Sequence, residues 1–85
     1  MKEEKRIRSL EELKKLCNEG YKEFYVLSGG MLKGSREIYY NKEDKSWYLW
    51  YNVSDTEHCY KNDDEFIKEE FIIMEAMKKG CFLRD

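Results

Sequence analysis

The stretch REIYYNKEDKSWYLWYNVS, residues 36–54, decides the fold; it holds both tryptophans and four of the seven tyrosines of an 85-residue chain. Read with a period of two, Trp47, Leu49, Tyr51 and Val53 point to one side of a strand and Tyr48, Trp50, Asn52 and Ser54 to the other. Aromatic and β-branched side chains suit a pleated surface, whereas a helix would scatter these rings around its circumference. The preceding run ends in the strand-formers Ile38, Tyr39 and Tyr40, and residues 41–46 between the two runs contain no apolar side chain. That pattern predicts a hairpin with a four-residue loop built on a type I turn. Pairing Asn41 with Ser46 sets Tyr40 opposite Trp47, Tyr39 opposite Tyr48, Ile38 opposite Leu49 and Glu37 opposite Trp50. Ile38, Tyr40, Trp47 and Leu49 then share one face and Tyr39, Tyr48 and Trp50 the other; a slip of one residue would exchange them.

Both faces are aromatic, although a sheet covered on one side normally turns a polar face to water. Two readings stand side by side. Either helices or flat-lying tyrosines cover both sides, or one face is a docking surface, since Tyr and Trp are enriched among interface anchors.

Working outward, Ser9 reads as a helix N-cap with Glu12 at capping-box spacing. Leu10, Leu13, Leu16 and Cys17 form a helical stripe, and Gly20 supplies the stop, which predicts a first helix over residues 9–19. Residues 21–28 read as a strand with Phe24 and Val26 facing one way. Residues 28–35 (SGGMLKGS) read as a glycine-rich connection with Met31 and Leu32 at its tip. Residues 56–60 are read as a short fourth strand with Thr56, His58 and Tyr60 on one side. Asn62 or Asp63 caps a second helix over 63–79, whose two apolar stripes do not superimpose, so a break near residues 69–71 is expected. Phe71, Met74 and Met77 are assigned to the core, Gly80 ends the helix, and residues 81–83 form a last strand or tail with Phe82 or Leu83 docked. The fold class is therefore α+β: an N-terminal helix, an antiparallel sheet of three to four strands, and a C-terminal helix, with both helices on the face of Phe24, Val26, Ile38 and Leu49. Residues 1–8 are read as a charged, frayed arm of a single small domain.

Composition bounds the chemistry. A domain of this size buries roughly 60% of the surface its unfolded chain exposes, which leaves little room for a deep catalytic cleft. Eighteen acidic against sixteen basic residues give a net charge of −2, so there is no basic field to hold nucleic acid. The three cysteines, Cys17, Cys59 and Cys81, are widely spaced without a C-x-x-C pair, and no run approaches the ~20 apolar residues of a membrane span. Reduced thiols in the cytoplasm, no disulfide and no membrane partner are expected.

The one titratable cluster is Asp55, Glu57, His58, Cys59, Asp63 and Asp64. His58 and Cys59 are strand neighbours and point to opposite faces, so they do not form a nucleophile–base pair. The carboxylates lack the recurring spacing of a zinc or calcium site. The segment from Gly30 to Ser35 lacks the Gly-Lys-Ser/Thr ending of a phosphate loop. No catalytic residue, metal or cofactor is assigned.

In its element order the chain resembles the small orphan proteins of phages and mobile elements, among them anti-CRISPR-like inhibitors. The likeness runs from Leu-Glu-Glu-Leu-Lys through Tyr-Lys-Glu-Phe-Tyr-Val, Ser-Arg-Glu-Ile-Tyr-Tyr and Lys-Ser-Trp-Tyr to Ile-Met-Glu-Ala-Met-Lys-Lys-Gly. It carries no diagnostic motif. It implies a non-enzymatic protein that occupies a surface of a larger host protein. The expected contacts are Tyr39, Tyr48 and Trp50 on one face, Met31 and Leu32 at the tip, and Arg36 at the rim. The rival from another class is a single-stranded nucleic-acid platform made of Arg36, Tyr39, Tyr48 and Trp50. Without a partner, the same face is expected to support a weak homodimer.

Overall fold

The computed structural model describes residues 5–28 and 31–84, with the backbone alone at 5, 28 and 31–33. In chain order the elements are β1 (Lys5–Arg6), α1 (Leu10–Asn18), β2 (Glu23–Ser28), β3 (Met31–Asn41), β4 (Ser46–Tyr51), β5 (Thr56–Tyr60), α2 (Asp63–Glu69), α3 (Phe71–Lys79) and β6 (Phe82–Arg84). The fold is α+β, with an antiparallel sheet in the order β1-β6-β2-β3-β4-β5 and the helices on one face.

The aromatic hairpin has the register that its polar loop implied: Asn41 pairs with Ser46, Tyr40 with Trp47, Tyr39 with Tyr48, Ile38 with Leu49 and Glu37 with Trp50. The loop is held by its own side chains. Asn41 Oδ1 accepts the Glu43 N–H at 3.0 Å and Asp44 Oδ1 accepts the Ser46 N–H at 3.1 Å, the local bonding that makes Asn and Asp turn residues. Strand β5 adds Tyr60 opposite Trp47 and His58 opposite Leu49. Val53 departs from the expected alternation. Strand β4 ends at Tyr51, residues 52–55 turn with Asp55 at φ 55°, and Val53 is 82% exposed.

Ile38, Tyr40, Trp47 and Leu49 are all buried on the inner face, together with Phe24, Val26 and Tyr60. Trp47 is the centre of this core. Its ring lies 4.5 Å from Tyr40 and 4.3 Å from Phe66 of α2, and Tyr60 meets Phe66 edge-on at 5.9 Å. Helix α1 buries Leu13 and Leu16 against this face, and Ser9 Oγ caps it by accepting the Glu12 N–H. Asn62 caps α2 in the same way through Glu65.

The second helix breaks where the two stripes fail to superimpose. Glu70 leaves helical geometry at φ −100° and ψ 50°, which separates α2 from α3. Helix α3 then buries Ile73, Ala76 and Met77, while Phe71, assigned above to the core, is 64% exposed beside Ile72 at 52%. Phe71 shares the outward stripe with Ile67, itself 42% exposed, and the other stripe, Phe66 followed by Ile73, Ala76 and Met77, is the buried one.

The sheet is also wider than three or four strands. From Lys5 onward the stretch expected to fray is part of it: Lys5 pairs with Arg84, Arg6 with Leu83, and the Ile7 N–H donates to the Phe82 carbonyl at 2.7 Å. Ile7 is completely buried, which is the physical reason the segment stays down. Strand β6 lies between β1 and β2 and buries both Phe82 and Leu83. Gly80 turns the chain from α3 into β6 at φ 69°. Arg6 Nη1 donates to its carbonyl, and a Cβ there would meet the Arg8 guanidinium at 2.9 Å, so two cations crowd the carbonyl end of α3. Met31 starts β3 opposite Ser28, so β3 takes in most of the expected connection. Gly34 at φ 113° lies against Val53 Cγ2, 3.0 Å from where a Cβ would stand. Gly29, Gly30 and the side chains of Met31 and Leu32 lie outside the described residues.

Asp63 of α2 joins its helix to β4 and α1. Its carboxylate accepts the Trp47 indole N–H at 2.9 Å and the Lys14 ammonium of α1 at 2.5 Å, at the first turn of α2. Burial alone would raise this carboxyl, but the hydrogen bonds from Lys14 and Trp47 and the Lys14 charge outweigh it, and the net shift is below the ordinary 3.8. A depressed folded value means that this stabilisation is present above about pH 4 and is lost as pH falls through the folded value. Asp63→Asn should therefore be less stable than wild type in urea at neutral pH, and the gap between the two midpoints should narrow as pH falls below about 4. Urea titrations at pH 7, 4 and 2 check it; a gap that stays constant would mean that the charge of Asp63 contributes nothing.

Candidate functional site

The outer face carries the expected rings. Tyr39 is 56% exposed and Tyr48 38%, their ring centroids 6.1 Å apart, and Trp50 is half-buried beside them. A groove of about 280 Å3 runs over this surface, lined by Lys22, Glu37, Tyr39, Tyr48, Trp50 and Glu57. Strand alternation generates it: Glu37 and Tyr39 of β3, Tyr48 and Trp50 of β4, and Glu57 and Cys59 of β5 all project to the side opposite Ile38 and Leu49. Toward the other edge the face closes, because Leu83, opposite Tyr25, is fully buried.

Arg36 does not join this group. Two residues before Ile38 on the same strand, it faces inward, with its guanidinium carbon 5.0 Å from the Tyr51 ring centroid. The arrangement expected of a nucleic-acid platform, Arg36 with Tyr39, Tyr48 and Trp50, is therefore divided between the two faces of the sheet. Arg36 instead lines a cavity of about 340 Å3 with Ser35, Tyr51, Val53, Ser54 and Ile72. Its Nε and Nη1 are buried without a hydrogen-bond partner among the described residues and rest over the ring of Tyr51.

Beneath that cavity lies a polar cluster that the sequence reading missed. Glu70, 4% exposed, accepts the Tyr51 hydroxyl on one carboxylate oxygen and the Tyr60 hydroxyl on the other. Burial, and then the hydrogen bond to Glu70, push the Tyr51 hydroxyl up to about 12, against an opposing pull from Arg36. Tyr60 is raised by the same causes, burial first. Both phenols thus remain donors at neutral pH and cannot act as bases, so the cluster reads as a clamp on the helix break. The available signal was spacing: Glu70 stands four residues after Phe66 and three before Ile73, on the stripe that is buried.

His58 packs edge-on to Tyr51 at 5.0 Å and parallel to Tyr60 at 6.4 Å. No cysteine is hydrogen-bonded to it among the described residues. The Cys17 thiol is turned to the Ile38 carbonyl at 3.7 Å and is pushed up to about 12 by burial. All three cysteines are free, Cys59 exposed on the outer face opposite Tyr48. Among the described residues no group of three or more His, Cys, Asp and Glu side chains is arranged to hold a metal ion. Among the described residues no helix is long and apolar enough to cross a membrane. A second exposed apolar surface, Phe71 and Ile72, lies on the helix side of the sheet.

The clamp makes a quantitative prediction. Tyr51→Phe and Tyr60→Phe should each cost about 1.5–3 kcal/mol, and Glu70→Ala about 3–5 kcal/mol, because it leaves both hydroxyls without their acceptor. In the Glu70→Ala background each Tyr→Phe change should become nearly silent. Chemical denaturation of the double-mutant cycle measures this, and strict additivity would show that the hydroxyls do not act through Glu70.

Comparison of the chain with protein-family models, with curated proteins and with solved structures returned no match.

Proposed function

We propose that the chain is a non-enzymatic protein-binding module that covers a surface of a larger host protein and blocks it. The observation that carries this reading is the exposure of Tyr39 and Tyr48, with Trp50 beside them, on a face the core does not use. Core and helices are complete on the inner side, so folding alone does not account for three aromatic side chains on the outer one. Rigid rings with a polar tip are the side chains that anchor protein interfaces, since they bring large contact area at small entropic cost. The resemblance to small phage and mobile-element inhibitors supports steric occlusion as the mode of action. The nucleic-acid reading is the weaker one: Arg36 lies on the opposite face, and Glu37 and Glu57 flank Trp50 where phosphates would need cations. A second copy is a poorer occupant of this face, since a two-fold axis would set Glu37 and Glu57 against their own counterparts.

Affinity capture from the native host, read by mass spectrometry, tests the proposal when wild type is run beside Tyr39→Ala/Tyr48→Ala. One specific protein should be retained by wild type, with its affinity reduced about 30-fold by the double substitution, the loss of one interface hot spot. With that partner purified, complex formation should also slow alkylation of Cys59, which is exposed opposite Tyr48. Retention that is unaffected by the substitution, or oligonucleotide binding that weakens steeply with salt while no protein is captured, would overturn the reading.

A further inference from the structure

We infer that the outer face takes an arginine-bearing segment of its protein partner, the guanidinium lying over Trp50 between Glu37 and Glu57; this rests on the protein-binding reading above. The three residues form one cross-strand row: Glu37 of β3 pairs with Trp50 of β4, which pairs with Glu57 of β5. Neighbouring strands are about 4.8 Å apart, so the two carboxylates are rooted about 10 Å from each other with the indole between them. Glu23 of β2 extends the same row, opposite Glu37. Among the described residues Lys22 is the one cation that lines the groove, and neither Glu37 nor Glu57 has an ion-pair partner. Elsewhere in the molecule Asp63 holds Lys14 and Glu75 holds Lys79. The aromatic groove is thus bordered at Glu37 and Glu57 by exposed negative charge that has no ion-pair partner among the described residues.

Several occupants fail on charge. Phosphate-bearing strands meet two carboxylates at the ring they would stack on. A second copy related by a two-fold axis brings the same acidic row against itself. Arginine fits better than lysine because its guanidinium is planar, weakly hydrated and forked. It stacks flat on an indole while its edge N–H groups reach carboxylates on either side, which a compact, strongly hydrated ammonium does not. The tyrosines continue the apolar strip past the acidic row, so the segment that carries the arginine lies across β3 and β4 toward Tyr39 and Tyr48.

The test titrates the 15N-labelled full chain with a blocked pentapeptide, Gly-Arg-Ala-Arg-Gly, and with counterparts in which lysine or neutral citrulline replaces arginine. The arginine peptide should shift the backbone signals of Glu37 and Glu57 and the Trp50 indole N–H. Binding should weaken about 10-fold for citrulline and about 3-fold for lysine, and about 10-fold for the arginine peptide on Glu37→Gln/Glu57→Gln. Equal binding of the citrulline peptide, unchanged binding to the double variant, or no shift at the three residues at about 5 mM peptide each overturns the inference. So does concentration-dependent shifting of the same signals without peptide, which would assign the face to a second copy. The two proposals fail separately. Partner binding lost in Tyr39→Ala/Tyr48→Ala but intact in Glu37→Gln/Glu57→Gln would leave the protein interface standing and remove the arginine. Binding intact in Tyr39→Ala/Tyr48→Ala would remove the interface itself.

Discussion

A single buried carboxylate sets the layout of the helical layer. Glu70 could be placed inside only by giving both of its oxygens donors, which Tyr51 of β4 and Tyr60 of β5 supply. Meeting those hydroxyls takes Glu70 out of helical geometry, and that departure divides one long helix into two short ones. Helix α2 can then follow β4 and β5, while α3 turns toward β2 and β6. Two helices at different angles, with α1 over β3, cover the inner face of a broad twisted sheet that one straight helix could not cover. The cost is that Phe71 and Ile72 are turned to solvent just after the break.

Because the inner face is completed in this way, the outer one is free of structural duty along β3, β4 and β5. The hairpin is held from inside by Trp47, whose ring packs on Tyr40 and Phe66 and whose N–H is taken by Asp63. The same alternation that turns Trp47 inward turns Tyr48 and Trp50 outward. Rigid presentation of those rings therefore comes from the core, which favours binding by lowering the entropy lost when a partner docks.

The hairpin was legible because two local signals agree: a loop without apolar residues and an alternation that buries Ile38, Tyr40, Trp47 and Leu49 in one register only. Caps at Ser9 and Asn62, the stop at Gly80 and the helix break were legible for similar reasons, each being decided within a few residues. What depended on distant residues was not. The strand at Lys5–Arg6 has one apolar neighbour, Ile7, in a charged context, and its pairing partner lies at the other end of the chain. Glu70 reads as one more surface charge in an acidic segment until Tyr51 and Tyr60 are placed above it. Arg36 is a different case. The parity that sent Ile38 inward sends Arg36 inward as well, and its proximity in sequence to Tyr39 concealed this. Of the candidate site, the rings were readable from alternation, whereas the acidic row around Trp50 emerges only once three strands are in register.

Strand β6 lies between β1 and β2, so two earlier segments are both bridged by a strand that is made only after β5 and the helices α2 and α3. The meander from β2 to β5 joins neighbours in sequence and can assemble as it emerges; β1 has nothing to pair with until residues 82–84 follow. Vectorial synthesis therefore leaves Ile7 and the β2 edge uncovered until β6 has been made, a window in which an unpaired edge invites association with other nascent chains. The positive charges around Ile7, Arg6 and Arg8, lie where they would discourage such contacts before they close over the carbonyl end of α3.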